Sequence, residues 1–161
     1  MSNISAYQAV IEAPLGRIGI RMTGDAVNAL DYLPAEVPEQ APTDAATRAV
    51  AEQLEAYFRD PRYRFTASLA LAGSAFQQRV WSALQAIPAG TVLTYGELAR
   101  QLGTAARAVG GACRSNPIPL LVPCHRVVSR QGLGGYAGAV TGDPLAIKRW
   151  LLRHEGAEIP G

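Results

Sequence analysis

The chain has 161 residues, of which 48% are hydrophobic, enough for one ordinary domain or two small lobes sharing an interface. The formal net charge of only +2 does not by itself announce a nucleic-acid binder, and it permits one only if the charge is concentrated on one face. No window approaches the apolar length of a membrane span, and the N-terminal stretch lacks the basic and apolar regions of a signal peptide, so a cytoplasmic location without membrane contact is expected. The first elements read as an antiparallel meander: strands over Tyr7–Glu12, Arg17–Met22 and Val27–Leu33, separated by turns at Pro14–Leu15–Gly16 and Thr23–Gly24–Asp25. Pro34 to Thr43 carries three prolines and reads as a loop. Thr43–Asp44 then caps a helix whose apolar stripe is Val50, Leu54, Tyr57 and Phe58, ended by Asp60–Pro61. Residues 62–72 form a linker with a short strand around Phe65–Leu69.

A second module begins near Gly73, which divides the chain into lobes 1–72 and 73–161. Ser74 and Gln77 match a capping box ahead of Phe76, Val80, Trp81 and Leu84, and Ile87–Pro88–Ala89–Gly90 stops that helix. Thr94 and Glu97 form a second capping box for a helix over Tyr95–Leu102. Gly103 supplies a left-handed stop and Thr104 caps the next helix at once, which is helix-turn-helix punctuation. Near the end, Asp143–Pro144 starts a helix in which Ile147, Trp150, Leu151 and His154 share a face, and Gly156 ends it.

The second helix of the pair separates into two faces. Ala105, Ala108, Val109, Ala112 and Cys113 are small and apolar and suit a core. Arg107, Gly110, Gly111 and Arg114 make a basic face with two adjacent glycines, each costing about 1 kcal/mol in a helix interior. Either the glycines let two helices pack closely, or they let a bulky partner such as a phosphate backbone approach between the arginines.

The chain has two cysteines and two histidines, and "PCHR" sets one of each side by side. Two cysteines make no disulfide framework, and Cys113, Cys124, His125 and His154 lack paired metal spacing, so no metal site is expected. A cysteine beside a base and a cation is a candidate nucleophile. The apolar flanks of this pair in "PLLVPCHRVVS" read as buried strand; in such an extended segment, however, Cys124 and His125 would point to opposite sides, so a water bridge or a turn is required. A histidine base also needs an orienting partner. Glu155 is one candidate, although its local context reads as a solvated glutamate at a helix end, where the dipole does not favour it.

With "TYGELA", "RAVGGACRSNPIPLLVPCHRVV", "GYAG" and "KRWLLRHEG", the chain resembles the methylated-DNA–protein-cysteine methyltransferases, the O6-alkylguanine-DNA alkyltransferase family, from about Gly73 to Gly156. The resemblance implies an α+β fold: a small ribonuclease-H-like N-terminal lobe with antiparallel strands, and a mostly helical, winged-helix-like C-terminal lobe containing a helix-turn-helix. It implies DNA repair by irreversible, single-turnover transfer of an alkyl group from O6-alkylguanine in double-stranded DNA to Cys124 without any cofactor, with O4-alkylthymine as a further candidate substrate and a monomer as the working unit. Under it, His125 activates Cys124 through water, Glu155 orients His125, Tyr95 donates to guanine N3, and Asn116 braces the link from recognition helix to active-site segment. The carbonyls of Cys124 and Val127 accept from the exocyclic amine, while Tyr136, Ala137 and Gly138 close on the base. Thr94, Tyr95, Ala105, Ala106, Arg107, Gly110, Gly111 and Arg114 meet the minor groove, with Arg107 filling the space left by a flipped nucleotide.

Three departures accompany the resemblance. Residues 1–112 contain no cysteine or histidine, so the structural zinc of some relatives has no ligands here. An insertion falls around Val140–Asp143, and Cys113 stands where methionine is common. A non-reactive alkyltransferase-like damage sensor is the alternative reading, and the presence of Cys124 argues against it. A transcription factor and a cysteine hydrolase are weaker still, the latter because no acyl chemistry or oxyanion hole is called for.

Overall fold

The structure, a computed structural model, describes residues 6–136 and 144–159. Within them the chain divides into two compact units after Leu71. Asp143, the inserted stretch 140–143, Ala137 and Gly138 lie outside the described residues. No described helix is long and apolar enough to cross a membrane.

The first unit is the expected meander with a helix across it. Strands β1 (Ala9–Ala13), β2 (Gly16–Thr23) and β3 (Ala26–Leu33) pair antiparallel in the order β1-β2-β3. Alternation sends Ile18 and Ile20 inward, and the register sets Ile20 opposite Leu30; a register shift between Arg21 and Met22 lets Val27, three residues from Leu30, be buried as well. Helix α1 (Ala45–Arg59) starts at Asp44, whose carboxylate accepts from the Thr47 amide at 2.8 Å. It buries Thr47, Val50, Ala51, Leu54 and Tyr57, whereas Phe58, expected on that stripe, is half-buried beside Tyr57. The strand anticipated at Phe65–Leu69 shrinks to one parallel bridge between Val27 and Leu69.

The second unit carries the remaining helices. Helix α2 (Ala75–Gln85) has both halves of its capping box, Ser74 with Gln77. Its Trp81 is buried and donates from Nε1 to the Ala112 carbonyl at 2.9 Å, fastening α2 to the second helix of the helix-turn-helix. A two-residue strand β4 (Leu93–Thr94) leads into helix α3 (Tyr95–Leu102), whose Thr94–Glu97 capping box is also complete. At Gly103 the backbone takes φ 68°, where a side chain would be strained. The turn closes by the Thr104 amide donating to Ala99 O at 2.9 Å. That bond corrects the expected start of the next helix. Thr104 still belongs to the turn, so helix α4 (Ala106–Arg114) begins from Ala105, with no side-chain cap.

The segment after α4 departs from expectation. Residues 118–123 are buried but are not a strand. Pro119 and Pro123 have no N–H for a ladder, Leu120 sits at φ 76°, and the chain folds on itself through Val122 N to Ile118 O at 2.9 Å. A 3₁₀ turn over Cys124–Arg126 follows, then strand β5 (Val127–Val128), parallel to β4. Helix α5 (Pro144–His154) begins at the expected proline and stops at Gly156, φ 73°. Its buried face is Ile147, Lys148, Leu151 and Leu152. Trp150 and His154, expected on that face, are only half-buried and stack on each other at 4.8 Å.

Candidate active site

The site lies wholly within the second unit. Its centre is the 3₁₀ turn, which answers the geometric objection raised by an extended Cys-His pair. Successive residues of a 3₁₀ turn are about 120° apart rather than opposite, so Cys124 and His125 need not face away from each other. Cys124 is 5% exposed and His125 is wholly buried.

His125 is held by its imidazole. Its Nε2 lies 2.8 Å from Glu155 Oε2, and both side chains are buried. Arg126 grips the same carboxylate twice, Nε to Oε1 at 3.0 Å and Nη2 to Oε2 at 2.9 Å, and also donates from Nη1 to the Ile87 carbonyl. Burial works against a charge on Glu155, but hydrogen bonds from His125 and Arg126 outweigh it and hold the carboxyl well below the usual range. Burial in turn lowers His125, against the pull of Glu155. An ionised carboxylate can only accept, so a neutral His125 must carry its proton on Nε2. That leaves Nδ1 with its lone pair, and Nδ1 is buried without a hydrogen-bond partner among the described residues. A neutral imidazole with an unengaged nitrogen in a buried site is a base in waiting.

Burial pushes the Cys124 thiol up, while a hydrogen bond from Asn116 and the charge of Lys148 act the other way. The resting thiol is thus protonated and needs that base. Asn116 also staples the approach to the turn: its Nδ2 donates to Val122 O at 2.8 Å and its Oδ1 accepts from Ile118 N at 2.9 Å. Tyr95, the first residue of α3, donates its hydroxyl to Gly135 O at 3.3 Å. Its ring crosses Gly134, where φ is 70° and an added Cβ would come within 2.8 Å of the tyrosine ring. Glycine is required there on both counts. Burial first, then the neighbouring thiols, raise the Tyr95 hydroxyl to about 12, so it holds its proton at neutral pH. Tyr136 is 8% exposed. Val127 is buried, and its carbonyl accepts from Lys148 Nζ at 2.7 Å.

On α4 the expected faces separate, with two departures on the core face, Ala105 and the half-buried Ala108. Val109, Ala112 and Cys113 are buried; Arg107 and Arg114 are exposed; Gly110 and Gly111 are half-buried. Ala105, placed with the core face by its spacing, is exposed together with Ala106. A Cβ on Gly110 or Gly111 would meet only the Arg114 guanidinium, at 3.8 Å. Among the described residues no helix packs against the two glycines, so close helix packing does not account for them. Thr94, besides capping α3, is half-buried.

Two residues of the site were not anticipated. Sequence marks Arg126 only as a cation beside the cysteine, and its bidentate hold on Glu155 depends on contacts 29 residues apart in sequence. Lys148 left a readable trace: it lies three and four residues before Leu151 and Leu152, on an apolar helical face.

A family model described as the 6-O-methylguanine DNA methyltransferase DNA-binding domain matches residues 75–157. The methylated-DNA–protein-cysteine methyltransferase of Methanosarcina acetivorans is 39% identical over 159 residues, covering 94% of this chain and 99% of that one. The Salmonella typhimurium protein of the same name is 56% identical over 94 residues, 56% of this chain and 52% of that one. Among solved structures, Mycobacterium tuberculosis OGT in complex with DNA superposes with a TM-score of 0.77 at 40% identity, covering 91% of this chain and 90% of that one. The chain therefore belongs to the methylated-DNA–protein-cysteine methyltransferase family.

Proposed function

We propose that the protein repairs DNA by transferring the alkyl group of O6-alkylguanine to Cys124. The observation that carries this reading is the buried relay, a thiol next to a histidine whose Nε2 is bound by Glu155 and whose Nδ1 is unengaged. His125 Nδ1 takes the thiol proton through an intervening water. The thiolate sulfur attacks the alkyl carbon in line, the carbon–O6 bond breaks, and its electron pair goes to the guanine. Tyr95 supplies a hydrogen bond or proton at N3, which its high pKa fits it to do. The product thioether has no hydrolytic exit, so each chain acts once. No described group is needed beyond these side chains.

O6 is inaccessible in a stacked duplex, so the nucleotide is flipped out. The open Gly110–Gly111 surface between Arg107 and Arg114, with the uncapped start of α4, suits a minor-groove backbone, and Arg107 fills the vacated stack. Val127 O and Cys124 O accept from the exocyclic amine, with Tyr136 and the neighbouring Ala137 and Gly138 closing the pocket. O4-alkylthymine is a candidate second substrate. The N-terminal unit is read as ribonuclease-H-like, the C-terminal as winged-helix-like, and the working unit as a monomer.

Incubation with an oligonucleotide carrying O6-methylguanine tests the reading by peptide mass. One methyl is expected on the peptide holding Cys124, at one equivalent per chain. Multiple turnovers, or tight binding with no mass change, would sink it, the latter in favour of a damage sensor. Arg107→Ala is expected to slow repair of duplex DNA about tenfold or more, the scale of one lost wedge contact, and to leave reaction with free O6-benzylguanine nearly unchanged. Equal losses on both substrates would contradict flipping.

A further inference from the structure

Lys148 is the sole lysine of the chain, and it is wholly buried, a rare state for this residue type. It projects from α5, and its Nζ donates to two backbone carbonyls, Val127 O in β5 and Gly135 O in the loop after it, each at 2.7 Å. It also lies 5.8 Å from the centre of the Tyr95 ring. The stem thus ties together three segments that each contribute to the site.

The Gly135 carbonyl is where this matters. It accepts from both Lys148 and the Tyr95 hydroxyl. The ammonium bond is short and charge-assisted, whereas the phenol bond, at 3.3 Å, is long for an O–H···O contact. The carbonyl is therefore satisfied by Lys148, and the Tyr95 proton can be redirected without leaving a buried acceptor unpaired.

We propose that the Lys148 ammonium is a positioning residue for alkyl transfer: it holds the Gly135 loop and the Val127 carbonyl in place, releases the Tyr95 hydroxyl for the base, and favours the Cys124 thiolate by its charge. This rests on the alkyl-transfer reading given above. The charge enters through the groups that face it. Tyr95 stands on α3, Cys113 on α4 with Arg114 nearby, and Cys124 and His125 on the turn; β5 and the loop present backbone carbonyls. Burial lowers Lys148 to about 8, with the two thiols opposing that shift. A cation favours the ionised thiol, and that help is half gone at about pH 8 and fades further above it. The rate should consequently stop rising near pH 8, where a thiol without a titrating cation beside it would keep gaining thiolate.

The test is single-turnover methyl transfer from an O6-methylguanine oligonucleotide between pH 6 and 9.5, for the native protein, Lys148→Met and Lys148→Arg. Lys148→Met is expected to react at least about tenfold more slowly at pH 7, the value of one pKa unit of thiolate population, and to keep rising above pH 8 where the native rate levels. Lys148→Arg, which keeps its charge to high pH, is expected to recover part of the rate and also to keep rising above pH 8. A native rate that climbs steadily to pH 9.5, or a Lys148→Met rate and profile equal to native, overturns the proposal; the first needs no variant to fold. If native protein leaves no methyl on Cys124 at any pH, the alkyl-transfer reading itself has failed.

Discussion

Cys124→Ala is expected to abolish alkyl transfer completely while the protein still folds and binds DNA. The chain has a second buried thiol, Cys113, only 7% exposed, so the prediction discriminates between the two. Burial raises Cys113 to about 12, with further upward pressure from Cys124. At pH 7 about one Cys113 in 10⁵ is then ionised. Burial raises Cys124 too, but Cys124 has an Asn116 hydrogen bond and the Lys148 charge to oppose it, and a histidine base in the same turn. Cys113→Ala should therefore transfer methyl at the native rate, and the native protein should carry no methyl on the Cys113 peptide. Removing one buried sulfur costs about 1 kcal/mol, the scale of a deleted methylene, so Cys124→Ala remains folded in a urea titration. Peptide mass after exposure to methylated DNA, with a gel-shift on the same preparation, separates loss of chemistry from loss of binding. Residual methylation of the Cys124→Ala chain at one equivalent would place the acceptor elsewhere.

Local patterns that depend on neighbours in sequence were legible. Both capping boxes, the left-handed Gly103 and the three-strand meander follow from spacing and turn residues alone, and they appear where expected. The start of α4 was misplaced by a residue because Thr104 serves two candidate roles, and closing the turn behind it wins over capping the helix ahead. "PIPLLVP" reads as a buried strand because it is apolar, but its three prolines deny it a ladder, and burial with a single isolated bridge, Pro119 to Val122, is the outcome. The same departure makes the site: the chain that fails to extend is the chain that can turn at Cys124.

The electrostatic half of the site was the less legible part. Charge, dipole and spacing near the chain's end argued for a solvated Glu155, and every one of those arguments is local. Glu155 is instead 4% exposed, because the 3₁₀ turn and the end of α5 come together and bring His125 and Arg126 to it from 30 and 29 residues away. The family resemblance, which integrates such distant relations, supplied Glu155 and Asn116. It did not supply Arg126 or Lys148, whose hydrogen bonds go to carboxylate and carbonyl oxygens. A single lysine on an apolar helical face was the available clue, and the helix-face count had placed Trp150 and His154 there instead.

Glu155→Gln is expected to slow alkyl transfer by about 10²–10⁴-fold, the usual reach of a positioned acid–base pair, and to cost stability as well. The amide can present its NH₂ to Nε2, which favours the opposite histidine tautomer and puts the proton on Nδ1, the atom that must accept from the thiol side. Two hydrogen bonds from a permanently charged Arg126 would also face a neutral group. Breaking one side of a buried pair costs about 3–5 kcal/mol, and the surviving amide oxygen keeps the loss toward the lower end. The pH dependence has a definite sign. Because the folded Glu155 titrates below its unfolded value, its contribution is present above the ordinary carboxylate range and is lost as pH falls toward the depressed folded value. The gap in unfolding free energy between native and Glu155→Gln should thus be full at pH 7 and should narrow steadily in acid. Urea titrations at a series of pH values measure it. Glu155→Asp keeps the charge and loses one methylene, so it should retain the pH dependence of stability while losing part of the rate. A Glu155→Gln protein with native stability at pH 7 and a native rate would mean that the Arg126–Glu155–His125 contact is incidental to the chemistry.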